Sequence, residues 1–488
     1  MYTRMKQSQN RTIIIRCMML LFAAVLVAAS VLPAGAAAAP AKSSCGTGCT
    51  RYDVVVIGSE IQGVLLAKAA RDLGLKVIIL DPRSKPGGEL IQGQMLVLDQ
   101  PNDNQKRSLV QGEIRRLFNG YNAGTIRKEE EFNRYFQSVI KNIPIHSSIR
   151  IEAVEVVPRG KEKALQSLTY RTKEGKQYKV EAEYFVENTD FNALTSKLEV
   201  KRIPGMESVY KGKKPDHMAA TLMLRFKNVD WNELHEQVLL DYPLTNVQKK
   251  YGPNTYVDWN TATGFSNLTF QYKPKDDQLV FRGINSTYQR NGQVIMNALL
   301  IFNVDPANPE SVRSAVEKGK AEAPDILKFL QVHIPGYKNA ELDGFPDYLY
   351  IRDYNRFETD YILDYPDVMS GKMFWDNVSI GGYSVDLQAV RAIPKGIGFG
   401  KPNRYGMPLR SFELKNYENV LVVGKNVGAT IKAYGTARIM PNTALAAETI
   451  GIILGKELKH KRLKQLTEAD FQRIHKYLER NYGIVLNR

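Results

Sequence analysis

The sequence predicts an α/β fold in which one domain is interrupted by a second of mixed α+β character. Three observations carry that prediction: a strand, glycine turn, helix and strand in close succession after residue 52; a long middle section with no sustained period; and a strand and helix near the C-terminus that complete the first unit.

The elements follow in order. Residues 53–57, "DVVVI", apolar from Val54 onward, form a run of the kind found in a central parallel strand. Gly58 ends it, "GVLLAKAARDLG" (63–74) repeats its apolar residues at helical spacing until Gly74, and "KVIIL" (76–80) supplies the next strand. This is one βαβ unit, and its turn matches the dinucleotide fingerprint G-x-G-x-x-G at Gly58 and Gly63, with Glu60 in place of the middle glycine. The middle glycine lets backbone approach a pyrophosphate, so Glu60 adds both bulk and negative charge there. If its side chain points away from the groove, the helix N-terminus still offers amides to a phosphate. Asp81 closes the second strand, where an acid hydrogen-bonds a ribose hydroxyl and favours an adenosine without a 2′-phosphate. Gly87 and Gly88 follow in "DPRSKPGG", a loop placed to lie along a cofactor.

Further along, "EEEFNRYFQSVIKNI" (129–143) predicts a helix. The stretches at 149–157, 167–173 and 177–189 predict strands, the last two joined by the turn "EGK" in a hairpin that feeds back into the first sheet. From 201 to 405 the pattern is mixed, with strands such as "HMAATLMLRF" and "QLVFRGI" among Tyr- and Asn-rich loops, which predicts the inserted substrate domain. "NVLVVG" (419–424) returns to the first domain. Pro441 then opens a small-residue helix, a position where its missing N–H costs nothing and where the amides of Asn442 and Thr443 would face a bound ligand. The resulting division is 1–40 leader, 41–51 linker, 52–200 and 406–458 nucleotide-binding domain, 201–405 substrate domain, and 459–488 a C-terminal helical segment.

The leader begins with Arg4, Lys6, Arg11 and Arg16, continues with "CMMLLFAAVLVAASVL", and ends in Pro33 and "AGAAAAPA". This is the order of a secretory signal, with small-residue cleavage positions near Ala36 to Ala39. The alternative is an uncleaved membrane anchor, because the apolar stretch approaches the roughly 20 residues of a span. Export would permit a disulfide between Cys45 and Cys49 in "CGTGC"; two free thiols are the plainer alternative. No metal-ligand spacing is present. The chain of 488 residues carries +16, about +12 without the leader's four basic residues, which favours anionic surfaces such as wall polymer or membrane. No basic run is interleaved with stacking aromatics, which argues against nucleic acid.

The segments "VVVIGSEIQGVLLAKAARDLGLKVIILDPRSKPGG", "YFVENTDFNAL", "SIGGYSVDLQ", "YGMPLRSFELKNYENVLVVGKNVGAT" and "AYGTARIMPNTALAAETIG", in this order, resemble the bacterial FAD-dependent oxidoreductase family. That family has a glutathione-reductase-type FAD domain and includes xanthan-lyase-associated members. The resemblance runs from residue 52 to the C-terminus. It implies noncovalent FAD at Gly58, Glu60 and Gly63, Asp81 on the adenosine ribose, and Gly87, Gly88 and Gly93 beside the cofactor. Gly424, Arg438, Met440 and Asn442 would close over the ribityl chain and flavin. Similar members often carry an acid at the Glu60 position. Two departures stand out: "ENT" (187–189) replaces the usual "ATG", and Lys425 replaces an arginine.

The expected activity is hydride transfer between FAD and an organic or saccharide-like substrate in an exported oxidoreductase. The alternative is a non-catalytic or regulatory binding protein on a degenerate flavoprotein fold, associated with wall polymer or polysaccharide. Arg438 and Tyr434 are candidate catalytic residues in the flavin-facing segment, and His217 is a candidate base. Arg352 and Tyr383 are further candidates in the substrate domain. Each also has a plain alternative: cofactor contact for Arg438, packing for Tyr434, and a surface position for His217. No cysteine pair lies beside the flavin motifs, which disfavours disulfide reduction.

Overall fold

The computed structural model describes residues 48–487. The predicted leader, its cleavage positions, Cys17 and Cys45 lie outside them. Cys49 opens strand β1 (Cys49–Ile57) and is disulfide-bonded. Residues 54–57 are buried on both faces, as a parallel strand covered from both sides requires. Val54 and Val56 face one core, containing helix α1 (Ile61–Asp72), while Val55 and Ile57 face another, so the period-2 alternation serves two apolar layers.

β1 pairs in parallel with β2 (Val77–Leu80). The chain then passes through α2 (Glu129–Ile140) to β3 (Ile145–His146), which extends the sheet beside β2. Strands β4 (Arg150–Arg159), β5 (Glu162–Arg171) and β6 (Gln177–Glu187) form an antiparallel meander, and β6 returns to pair in parallel with β1. The sheet order is β3-β2-β1-β6-β5-β4. The hairpin therefore feeds back into the first sheet through its last strand.

A second sheet is built from β7 (Ala220–Lys227), β8 (Tyr256–Val257), β9 (Thr261–Gly264), β10 (Leu279–Phe281), β11 (Ile284–Tyr288) and β12 (Val294–Ile301). The long helix α3 (Pro309–His333) follows, then β13 (Glu341–Leu342). The order is β13-β7-β12-β11-β9-β8, with β10 also on β12. All eight residues of β12 are buried, and Ala315, Ala323, Ile326 and Leu330 of α3 pack into the same core. The expected strand beginning at His217 starts later, at Ala220, because the Met218 amide is held by the Asp353 carboxylate instead of by a ladder partner.

The chain returns to the first sheet as β14 (Val420–Val422), parallel to β6. Two helices follow, α4 (Ile431–Ala437) and α5 (Met440–Glu457), and α6 (Glu468–Tyr482) ends the described chain. No helix among the described residues is long and apolar enough to cross a membrane. Helices α1 and α5 cross closely because α5 presents Gly451 and Gly455, where an added Cβ would meet the Leu66 carbonyl at 2.4 Å and the Leu73 Cβ at 2.5 Å. This crossing aligns the starts of α1 and α5, and both face the site described next.

Replacing Gly451 with alanine is expected to destabilise the chain by about 1–2 kcal/mol, overpacking outweighing the gain of roughly 1 kcal/mol in helix propensity. The check is a lower urea midpoint at unchanged m-value; an unchanged midpoint would show that the crossing has slack.

Candidate functional site

The site begins at the turn between β1 and α1. Asp81, fully buried at the end of β2, accepts the Ser59 amide at 2.9 Å and the Ser59 hydroxyl on Oδ2. Its Oδ1 accepts the Arg83 amide at 2.8 Å, and the Arg83 guanidinium adds Nε at 3.1 Å and Nη2 at 3.0 Å. A carboxylate offers about four lone-pair sites, and these five donors use them. The ribose hydroxyl expected on Asp81 therefore finds no free acceptor here. Asp81 fastens the turn to its own loop.

Arg83 also pairs through Nη1 with Glu60, and both side chains are buried. The other Glu60 oxygen accepts the Glu89 amide at 2.9 Å. Glu60 thus turns toward the 87–89 loop, not away from the groove. Gly88 makes this possible: its φ is +44°, and an added Cβ would meet the Glu60 carboxylate at 2.0 Å. Lys425 reaches the same cluster, 3.0 Å from Glu89 Oε2, 3.5 Å from Asp190 Oδ2 and 2.6 Å from the Ile351 carbonyl. The Tyr348 hydroxyl donates to Asp190. Burial pushes the Glu89 and Asp190 carboxyls up, with Lys425 opposing. Burial would lower the Lys425 ammonium, but Glu89, Asp190 and Glu60 together hold it above its ordinary value. Four buried carboxylates, Glu60, Asp81, Glu89 and Asp190, thus share two cations, Arg83 and Lys425.

The "ENT" segment closes the turn from the other side. Glu187 caps its own loop by accepting the amides of Thr189 at 2.9 Å, Leu194 at 2.7 Å and Thr195 at 2.9 Å. Asn188 Oδ1 accepts the Gly63 amide at 2.7 Å. A Cβ at Gly58, Gly63 or Gly424 would meet Asn188 at 2.8, 2.2 or 2.8 Å, so the lack of side chains at these three predicted cofactor glycines lets Asn188 pack against the turn. Gly87 and Gly93 are packed locally, against the Ile91 side chain and the Glu89 carbonyl.

Beyond Glu89 and Lys425 lies a cavity of about 30 Å³, lined by Met95, Asp99, Arg352, Arg438 and Met440 among others. Arg438 donates from Nη2 to the Asp386 carbonyl at 3.3 Å, and its buried Nε has no partner. Tyr383 donates to Asp99 at 3.0 Å, and burial raises the Asp99 carboxyl. The expected free amides of Asn442 and Thr443 are a correction: both donate to the Ile439 carbonyl, at 3.0 and 3.2 Å. The helix starts one residue earlier than Pro441, which makes Ile439 its cap. Tyr434 is fully buried, its hydroxyl on the Arg352 carbonyl at 3.0 Å and its ring under Arg356. His217 lies away from the cavity, with Nε2 at 3.1 Å from Asn355 Oδ1 and its ring against Tyr354. Of the candidates Arg438, Tyr434, His217, Arg352 and Tyr383, only Arg438 and Arg352 line the cavity. Arg83, Asn188 and Asp190 were not singled out by the sequence reading; the charge of Arg83 beside Asp81, with Glu60 unpaired in the turn, was the available signal.

The profile of a family described as FAD dependent oxidoreductase matches residues 53–478. The chain belongs to the FAD-dependent oxidoreductase family. Its cofactor is accordingly FAD, as the Gly58–Gly63 turn predicts, and its fold is the Rossmann-like α/β fold of flavoproteins. Similar solved structures include a geranylgeranyl bacteriochlorophyll reductase-like protein from Thermoplasma acidophilum, 12% identical over 89% of this chain and 85% of that one, with a TM-score of 0.41. A flavoprotein/dehydrogenase from Cytophaga hutchinsonii is 10% identical over 88% and 84%, with a TM-score of 0.39. A myxobacterial chondrochloren halogenase is 12% identical over 89% and 80%, with a TM-score of 0.37. No curated protein matches the sequence.

Tested against FAD, the two ends of this oxidoreductase's site differ. Buried oxygens without partners, Gln62 Oε1 at the start of α1, Asn442 Oδ1 at the start of α5 and Gln92 Oε1 in the loop after Gly88, together with Arg438 Nε, fit a heteroaromatic group carrying donors and acceptors. At the nucleotide end four buried carboxylates share two cations, and this excess opposes a diphosphate. The Glu60 side chain, held against Gly88, is part of that negative charge.

Glu60→Gly is therefore expected to lower the dissociation constant for FAD by about tenfold or more, equivalent to about 1.4 kcal/mol or more. Quenching of flavin fluorescence on titration into apoprotein measures it, and an equal or weaker affinity would contradict the opposing role of Glu60.

Proposed function

We propose that the chain is an exported oxidoreductase that moves a hydride between an organic substrate and noncovalent FAD. The observation that carries the reading is the cavity beside the start of α5, whose wall holds both Asp99 and Arg438, the latter with an unpartnered Nε. FAD, when bound, supplies the hydride acceptor. The chain's own groups supply the rest: Arg438 orients a polar substrate group, and Asp99, raised by burial and held by Tyr383, is the group best placed beside the cavity to take or give a proton. The apolar walls from Met95, Leu98 and Met440 exclude water. Export rests on the n-, h- and c-region order of the leader, and the disulfide-bonded Cys49 suits an oxidising compartment. The basic surplus suits contact with anionic wall polymer or a membrane surface.

A second reading is favoured by one observation: four buried carboxylates share only two cations at the turn that a dinucleotide's diphosphate needs. It makes the chain a non-catalytic or regulatory binding protein on the same fold.

Flavin content separates the two. The first reading expects oxidised-flavin absorption bands and close to one released FAD per chain after incubation with FAD, with anaerobic bleaching by a reducing substrate. Absence of bound flavin even with FAD in excess would leave the binding-protein reading.

A further inference from the structure

At the far end of the site the charge balance is the reverse of that at the nucleotide turn. Arg352 is 2% exposed, yet its guanidinium contacts only neutral oxygens, the Ala219 carbonyl and the Thr221 hydroxyl at 2.6 Å, beside the Tyr350 ring. Arg282 donates to Asn297 Oδ1 at 3.1 Å and leaves its buried Nε without a partner. Among the described residues neither has a carboxylate within 4.0 Å. Arg438, the third of the group, approaches the Asp386 carboxylate only to 3.8 Å. Burial brings Arg352 down to about 10, with Tyr350 opposing the fall and Arg282 and Arg438 adding to it. Burial likewise lowers Arg282.

Unpaired buried cations are costly, and proteins retain them where an anion completes the set. Asp99, which lines the same cavity and accepts from Tyr383 at 3.0 Å, offsets part of this charge; with Asp386, two carboxylates face three guanidiniums, one positive charge in excess. Lys425, the other cation on the cavity wall, is already paired with Glu89. The positive charge left over lies with Arg282 and Arg352, since burial would lower Arg438 but Tyr350 and Asp386 hold it above its ordinary value. The cavity of about 30 Å³ between Arg352 and Arg438 has room for two water-sized groups, since each needs roughly 10–15 Å³ by this measure. Two such groups match the oxygens of one carboxylate, and the planar donor fork of arginine suits that head group.

We propose that this cavity binds the carboxylate of an organic acid, with Arg438 and Arg352 holding its oxygens and Arg282 adding charge from behind, so that the substrate of the proposed oxidoreductase is an organic carboxylate. The inference rests on reading the cavity as the substrate end of the FAD site, but the binding it requires is independent of flavin reduction.

The test is thermal stability of the full chain titrated with benzoate and, at equal ionic strength, with benzamide or chloride. The expected result is a saturable rise in Tm with benzoate alone, and an apparent Kd raised at least about tenfold in both Arg438→Gln and Arg282→Gln, the size of a lost charge-assisted contact. The wild-type comparison of benzoate with its neutral amide stands even where a variant fails to fold. Equal effects of benzoate and chloride, no effect of benzoate, or undiminished binding in both folded variants would overturn the proposal. FAD content measured on the same preparations separates the two ideas: FAD bound without a benzoate response removes the carboxylate site alone, while a benzoate response without FAD supports the site and removes its redox role.

Discussion

The buried ion network around Arg83 is the constraint on which the arrangement of the site depends. One guanidinium joins the end of β2 through Asp81, which also accepts from Ser59, to the β1–α1 turn through Glu60 and, through Glu60, to the amide of Glu89 in the following loop. Lys425, just after β14, adds the C-terminal part of the sheet to the same cluster. Segments far apart in sequence thus meet over charges. Such a network is specific because each member is costly to leave unpaired: breaking a buried pair strands a charge, at a cost of about 3–5 kcal/mol.

The same physics explains why the site is electrically lopsided. Carboxylates outnumber cations at the nucleotide turn, and burial responds by raising Glu89 and Asp190. At the far end guanidiniums outnumber carboxylates, and burial responds by lowering Arg282 and Arg352. The acid-rich end is packed with the chain's own side chains. The cation-rich end keeps a cavity and unpartnered donors. A ligand that is anionic at one point and heteroaromatic at another meets complementary groups at the second end and competition at the first.

Much of the fold was legible because its signals are local. The run at 53–57, the glycine stop at Gly74 and the strand at 76–80 follow from side-chain period and backbone freedom, and each appears at its place. The hairpin entering the first sheet and the helix near Pro441 are local in the same way. Boundaries set by a distant partner were less legible: β7 begins at Ala220 because Asp353, far along the chain, claims the Met218 amide. The family was legible in the order of its motifs, and the profile match over residues 53–478 agrees.

The site divides along the same line. The sequence by itself determined that a dinucleotide turn stands at Gly58 and Gly63 and that an acid replaces its middle glycine. Only the tertiary structure decided that Glu60 lies over Gly88, that Asp81 spends its oxygens on Ser59 and Arg83, and that Arg282, Arg352 and Arg438 gather with fewer carboxylates than guanidiniums. The reason is that a glycine turn is specified by the dihedrals of a few consecutive residues, whereas the direction and charge state of a buried side chain depend on partners brought from across the chain.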